Sequence, residues 1–166
     1  MSLRFIAMIG YSLNNIRIQT EDFDLALEQK RLRELSPNVG AIVSFTGLVR
    51  DFEERRNIDG LSIQHYPQMT ENLLEEIVNE ANLRWDLLGT TVIHRVGSLQ
   101  PNQQIVLVAV ASQHRLDGFQ SAQFIMDYLK TKATLWKKVT CGETSMWIDP
   151  KESDMEAEEK WERLRD

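Results

Sequence analysis

The stretch "TVIHRVGSLQPNQQIVLVAVAS", Thr91–Ser112, decides the fold. It contains two apolar runs rich in β-branched residues, "TVIHRVG" and "QIVLVAVAS", joined by "SLQPNQ". Val and Ile lose rotamer freedom in a helix and pack well on a pleated surface, so both runs predict strands. The link between them has no room for a crossover helix. Two more steps of this kind follow from the sequence. One joins "AIVSFTGLVR" (Ala41–Arg50) to "LSIQHY" (Leu61–Tyr66) through the charged loop "DFEERRNIDG". The other runs "TLWKKVT", "CGETS", "MWI" as strand, turn and strand.

Helices interleave with these strands. "DFDLALEQKRLREL" reads as a helix stopped by "SPNVG". "TENLLEEIVNEANLRW" puts Leu73, Leu74, Ile77, Val78, Ala81 and Trp85 on one face, with Thr70 as its expected N-cap. "DGFQSAQFIMDYLKTK" lines Ala122, Ile125, Met126, Leu129 and Ala133 along another, with Asp117 as cap. "SDMEAEEKWERL" predicts a last helix, about 153–165, with a Ser153–Glu156 capping box and Met155 and Trp161 near one face. "RFIAMIGYSL" reads as a first strand. Helices alternate with strands, yet three β-to-β steps lack one. The expectation is one α+β domain over residues 1–166, with a mixed or antiparallel sheet.

Composition narrows the function. The 166 residues carry 19 Lys and Arg against 25 Asp and Glu, a net charge of −6. An acidic chain lacks the broad basic surface that nucleic acid requires. No apolar run approaches the ~20 residues of a membrane span, and the N-terminus lacks a signal-peptide pattern, so a cytoplasmic protein is expected. A single cysteine, Cys141, excludes an internal disulfide and suits a reducing compartment.

Against that acidic background, positive groups gather at element ends. In "SQHRLDGF", His114 and Arg115 precede a helix, whose free N–H groups and dipole favour an anion. The alternative is a surface ion pair for Arg115 and a turn cap for His114. Arg50 ends a strand that contains Gly47, where a ligand or a backbone can come close. Lys130 falls at the rim of a buried helical stripe, where partial desolvation would favour its neutral form; a snorkelling lysine is the ordinary alternative. Lys137 and Lys138 alternate on the next strand, so only one shares a face with Leu135 and Val139. The set suits a small anionic substrate without naming a reaction.

Other chemistries find no support. No phosphate-loop or dinucleotide pattern is present. His65, His94 and His114 lack metal-ligand spacing, and Cys141 has no local partner. His94 and Arg95 lie within a strand, where packed, hydrogen-bonded roles are expected.

The segments "GAIVSFTGLVR", "HYPQMTE", "VIHRVGSLQPNQ", "SQHRLDGFQSAQFIMDYLKTKATLWKK" and "MWID" occur in an order that resembles the large subunit of molybdopterin synthase. The resemblance implies an α/β-hammerhead fold and a homodimer within a heterotetramer. A small ubiquitin-like subunit would sit at each end, its C-terminal Gly-Gly tail carrying a thiocarboxylate. Two sulfurs would pass in successive steps to cyclic pyranopterin monophosphate, giving the dithiolene of molybdopterin, with no cofactor or metal required.

Carried over residue by residue, the family's pocket would be Arg50, His114, Arg115, Lys130 and Lys137, bordered by Leu48, Val49, Lys138 and Val139. Within that pocket Lys130 and Lys137 are the groups expected to do the chemistry, Arg50, His114 and Arg115 are better suited to holding the phosphate, and a dimer could bring some of these from the second chain. Three positions depart from the pattern. Val139 stands where the family commonly has an acid, Thr134 where it has Pro, and Leu48 where it often has Lys. Val139 motivates the alternative of a scaffold that binds the partner without turnover.

Overall fold

The computed structural model describes residues 13–50, 59–149 and 152–163, together with the backbone of 52, 53, 56 and 57. Strands are β1 Leu13–Gln19, β2 Ala41–Leu48, β3 Phe52–Glu53, β4 Arg56–Asn57, β5 Gly60–His65, β6 Leu87–Arg95, β7 Gly97–Leu99, β8 Gln104–Ser112, β9 Leu135–Cys141 and β10 Thr144–Ile148. Helices are α1 Leu25–Arg33, α2 Met69–Arg84, α3 Arg115–Lys132 and α4 Glu152–Arg163. The expected α+β class holds.

Two four-stranded sheets carry the fold. The first has the order β1-β6-β8-β2, with β1 parallel to β6 and the other pairs antiparallel. The second, β10-β9-β5-β7, is antiparallel throughout. The stretch Thr91–Ser112 links them. β6 pairs with β8 as the short connection predicts, but the expected strand "TVIHRVG" ends early, at Arg95, and Gly97 opens a separate strand that runs into the expected link. The run breaks at Val96, turns through Gly97 at φ 85°, and β7 then pairs with β5 in the second sheet. A positive φ is open to glycine without steric cost, so Gly97 is the residue that permits the change of sheet.

Side-chain alternation sorts the core. Val92, Val106, Val108 and Val110 face α2, α3 and α4, whereas Ile93, Leu107, Ala109 and Ala111 face α1. Strands covered on both faces read as continuous apolar runs, as β6 and β8 do. A third cluster, including Val49, Leu61, Ile63, Leu99 and Val139, fills the inner side of the second sheet. Ile105 and Leu135 pack against both the first and third clusters, where the two sheets meet.

Several local expectations change. "RFIAMIGYSL" lies outside the described residues except for Leu13, and β1 follows it. Within the expected charged loop, β3 and β4 form a two-stranded antiparallel ribbon. Thr70 is not the N-cap of α2; the helix starts at Met69, after Gln68 at φ 67°. Its hydroxyl lies 2.8 Å from that of Thr134 and 3.0 Å from the Tyr66 carbonyl. Likewise α3 starts at Arg115, with His114 in the cap position, so Asp117 lies in its first turn. A carboxylate there meets the positive end of the helix rather than capping it. Helix α4 begins at Glu152, which places Ser153 inside the helix; Trp161 is buried, but Met155 is exposed.

Candidate functional site

Strand β2 ends in an irregularity. Its register with β8 shifts between Gly47 and Leu48. A Cβ on Gly47 would come within 2.7 Å of Val106 Cγ1, so only glycine lets the strands approach this closely. Beyond the shift, the Val49 N–H donates to the Gln103 carbonyl at 2.9 Å and the Asn102 N–H to the Val49 carbonyl at 2.8 Å. Val49 is thereby pinned with its side chain buried, while Leu48 and Arg50 on either side are exposed.

Strand β9 supplies the facing wall. Leu135, Lys137 and Val139 point inward, and Trp136, Lys138 and Thr140 point outward, as a period of two requires. Lys137 is therefore the lysine that shares a face with Val139. Lys138 lies on the opposite face, its ammonium 5.7 Å from the Trp147 ring centre. Helix α3 closes a third side with Met126, Leu129 and Lys130.

These elements enclose a cavity of about 630 Å³ at the junction of the sheets. Leu48, Val49, Arg50, Lys130, Lys137 and Val139 all line it. So do four groups that sequence reasoning did not place here: His94, Asp149, Ser153 and Asp154. Asp154 carries the largest consequence. Its carboxylate lies 3.3 Å from Lys130 Nζ, and Glu158, one turn on, lies 3.1 Å from Lys132 Nζ. The Lys130 side chain is 44% exposed, so it is an ion-paired rim lysine rather than a desolvated one. Acids near the start of an expected C-terminal helix were visible in the sequence, but the face that meets α3 was not.

His94 is 1% exposed, and its Nδ1 lies 2.7 Å from the Arg95 carbonyl oxygen. Burial, and then the charge of Lys137, push its pKa down from 6.5 to about 4. The expected packed role is part of its placement; its position on the cavity wall was not foreseen. The phase of "TVIHRVG" was the available signal, since it puts His94 with Val92 on the helix-facing side.

His114 and Arg115 do not reach this cavity. They line a separate surface hollow with Gly40, Gln113, Leu116 and Phe119. Arg115 and Lys130 are fifteen residues apart on one helix, about 22 Å along its axis. The expected single cluster is therefore split within one chain, with Arg50, Lys130 and Lys137 at the cavity and His114 and Arg115 apart from it.

Comparisons with known proteins agree with this architecture. The chain is 46% identical over 149 residues to the molybdopterin synthase catalytic subunit of Vibrio cholerae, covering 90% of this chain and 99% of that one. It is 47% identical over 146 residues to the subunit of the same name from Ralstonia nicotianae, covering 88% and 83%. Among solved structures, the molybdopterin biosynthesis MoaE protein from Burkholderia ambifaria superposes with a TM-score of 0.78 at 44% identity, covering 90% of this chain and 99% of that one. Molybdopterin synthase from Staphylococcus aureus superposes at 0.74 with 32% identity, covering 80% and 95%. The family model described as MoaE protein matches residues 18–132, which include β6 and β8 of the first sheet, β5 of the second and all of α3, and the chain belongs to that family.

Proposed function

We propose that this chain is the catalytic subunit of a molybdopterin synthase, a sulfurtransferase of molybdenum cofactor biosynthesis acting as one domain in the cytoplasm. Its sulfur donor is the C-terminal thiocarboxylate of a small ubiquitin-like subunit, and its substrate is cyclic pyranopterin monophosphate. The observation that carries the reading is the convergence of Arg50, Lys130 and Lys137 on one cavity in an otherwise acidic protein. Among the described residues no helix is long and apolar enough to cross a membrane. No group of His, Cys, Asp and Glu among them could hold a metal ion.

The residues divide the work. Arg50 presents a planar, permanently charged fork suited to phosphate. Lys130 from α3 and Lys137 from β9 steady the negative charge that develops on the tail's carbonyl oxygen as water adds to the acyl carbon and the sulfur, now bonded to the pterin, departs; they move protons there, and the tail is left as a carboxylate. Leu48, Val49, Val139 and the backbone at Lys138 shape the channel for the tail.

A second copy of the chain completes the site. Phe45, Leu48, Leu116 and Phe119 are all exposed, along edge strand β2 and the first turns of α3. Contact between two copies over this face would cover them. It would also bring the partner's His114 and Arg115 toward the cavity mouth, which Phe45 and Leu48 border. That arrangement reunites cations that a single helix holds apart.

Incubating the protein with thiocarboxylated small subunit and the cyclic pterin tests the reading: molybdopterin forms. The scaffold alternative draws on Val139, buried and apolar where the family commonly has an acid. Tight binding of the small subunit without product, with activity appearing in Val139→Glu, would favour that alternative.

A further inference from the structure

His94 is a buried titratable group that none of the roles above uses. Its Nδ1 faces a carbonyl oxygen, which can only accept, so Nδ1 carries the proton and Nε2 carries the lone pair. Nε2 is buried and has no hydrogen-bond partner among the described residues. Native cores pair nearly all such atoms, and an orphaned acceptor calls for a reason. The imidazole stands in β6 beside Val92 and opposite Val106, on the side of the sheet that faces α3, and it lines the cavity with Lys137.

The charged groups around it come from several elements. Lys137 reaches in from β9, and His65 acts on it from β5. Lys130 from α3 and Asp154 from α4 lie on the same cavity but engage each other. Lys137 is the cation whose charge registers on the imidazole.

We propose that His94 is a positioning residue: its Nε2, unpartnered among the described residues, takes a hydrogen bond from the Lys137 ammonium when that flexible side chain turns toward it across the shared cavity, and so aims that cation at the reacting carbonyl. A base role does not fit. A histidine held at a pKa of about 4 falls short of the ordinary alkylammonium value of ~10.4 by a factor of roughly 10⁶ in proton affinity. It can orient the lysine's protons but not remove one. Its fixed tautomer makes it a directional acceptor, and the dry wall strengthens the bond when substrate displaces solvent. The kinetic part of this inference rests on the sulfur-transfer reading; the structural part does not.

The test uses three variants of the full chain. His94→Leu removes the acceptor at similar bulk. His94→Asn keeps a donor for the Arg95 carbonyl but also lacks the outer acceptor, and it serves if the leucine variant fails to fold. His94→Gln places an amide oxygen near the position of Nε2. An acceptor stabilises the ammonium, so its loss raises the reactive amine fraction. Acylation by an amine-directed reagent at pH 8, read by peptide mass spectrometry, should label Lys137 at least threefold faster in the leucine and asparagine variants. Lys130 should label at the wild-type rate, and glutamine should restore Lys137 toward it. In the reconstituted reaction kcat should fall tenfold or more, with KM for the small subunit unchanged and partial rescue by glutamine. Wild-type labelling of Lys137 in a folded variant without the acceptor overturns the proposal. So does a loss of activity that merely tracks thermal stability and is the same for all three variants. Labelling needs no substrate; a wild-type protein that made no molybdopterin would count against the sulfur-transfer reading alone.

Discussion

Lys130 and Asp154 face one another across two helices, ammonium to carboxylate oxygen at 3.3 Å. The pair belongs to the cavity wall, and it neutralises one of the three cations gathered there. An anionic tail or phosphate must compete with Asp154 for that lysine. Replacing Asp154 with Asn should cost less than about 1 kcal/mol of stability, because the pair is half open to water. It should lower KM for the anionic reactants about two- to fivefold at low salt, with the gain shrinking as salt screens the site. An unchanged KM at every ionic strength would refute the competition.

Lys130→Ala and Lys137→Ala should each reduce kcat by about 10²- to 10³-fold, the range for losing one preorganised electrostatic contact. Binding of the small subunit, measured by titration calorimetry, should stay within a few fold of wild type. Equal turnover in both variants would remove these lysines from the chemistry.

The distance between the two ends of α3 makes a prediction about assembly. If the partner's Arg115 serves the site of Lys137, then Arg115→Ala and Lys137→Ala homodimers are each inactive. Mixed dimers then have one site carrying both substitutions and one carrying neither. Random reassortment should restore about a quarter of wild-type activity. A mixture as inactive as its parents would refute the sharing of one site between two chains.

Burial of His94 sets a pH dependence of stability. Its pKa falls from 6.5 to about 4 on folding, chiefly because burial disfavours the charged form. Above pH 6.5 the group is neutral in both states and costs nothing. As pH falls from 6.5 toward 4 the unfolded chain takes up the proton first, and the native state loses up to about 3 kcal/mol. Urea titrations at pH 7 and pH 4.5 should show this loss in the wild type and a smaller one in His94→Leu.

Thr134, where the family usually has Pro, is held by a different device. Thr70 is fully buried; its hydroxyl lies 2.8 Å from that of Thr134, and it accepts from the Tyr66 N–H at 3.2 Å. Together these bonds tie the start of β9, and so Lys137, to the start of α2. Thr70→Val keeps the shape and strands the partners, so it should cost about 1–3 kcal/mol in chemical denaturation. Thr134→Ala should cost less, since only one partner is lost.

Much of this was legible from periodicity. The apolar stripes of α2 and α3 fall where the 3.6-residue period put them, and the pairing of β6 with β8 follows from their short link. Helix starts were less legible. Thr70 and Asp117 are of the residue types that cap helices, but the Thr70 hydroxyl is engaged by Tyr66 and Thr134, sixty-four residues away in the second case. Competition from a distant partner leaves no local mark. Asp154 and His94 were missed at the site for the same reason: their roles depend on which helix or strand they meet.

The sequence alone determined the class of the fold, the two central helices, the face on which Lys137 lies and the family. Those follow from local rules: side-chain periodicity, branching at Cβ, and the order of specific segments along the chain. Only the tertiary structure decided that the chain changes sheets at Gly97, that Arg50, Lys130 and Lys137 share a cavity, and that His114 and Arg115 stand a helix length away from it. Distances between residues remote in sequence are set by how whole elements pack, and a rigid helix of eighteen residues keeps its ends apart whatever their charges favour.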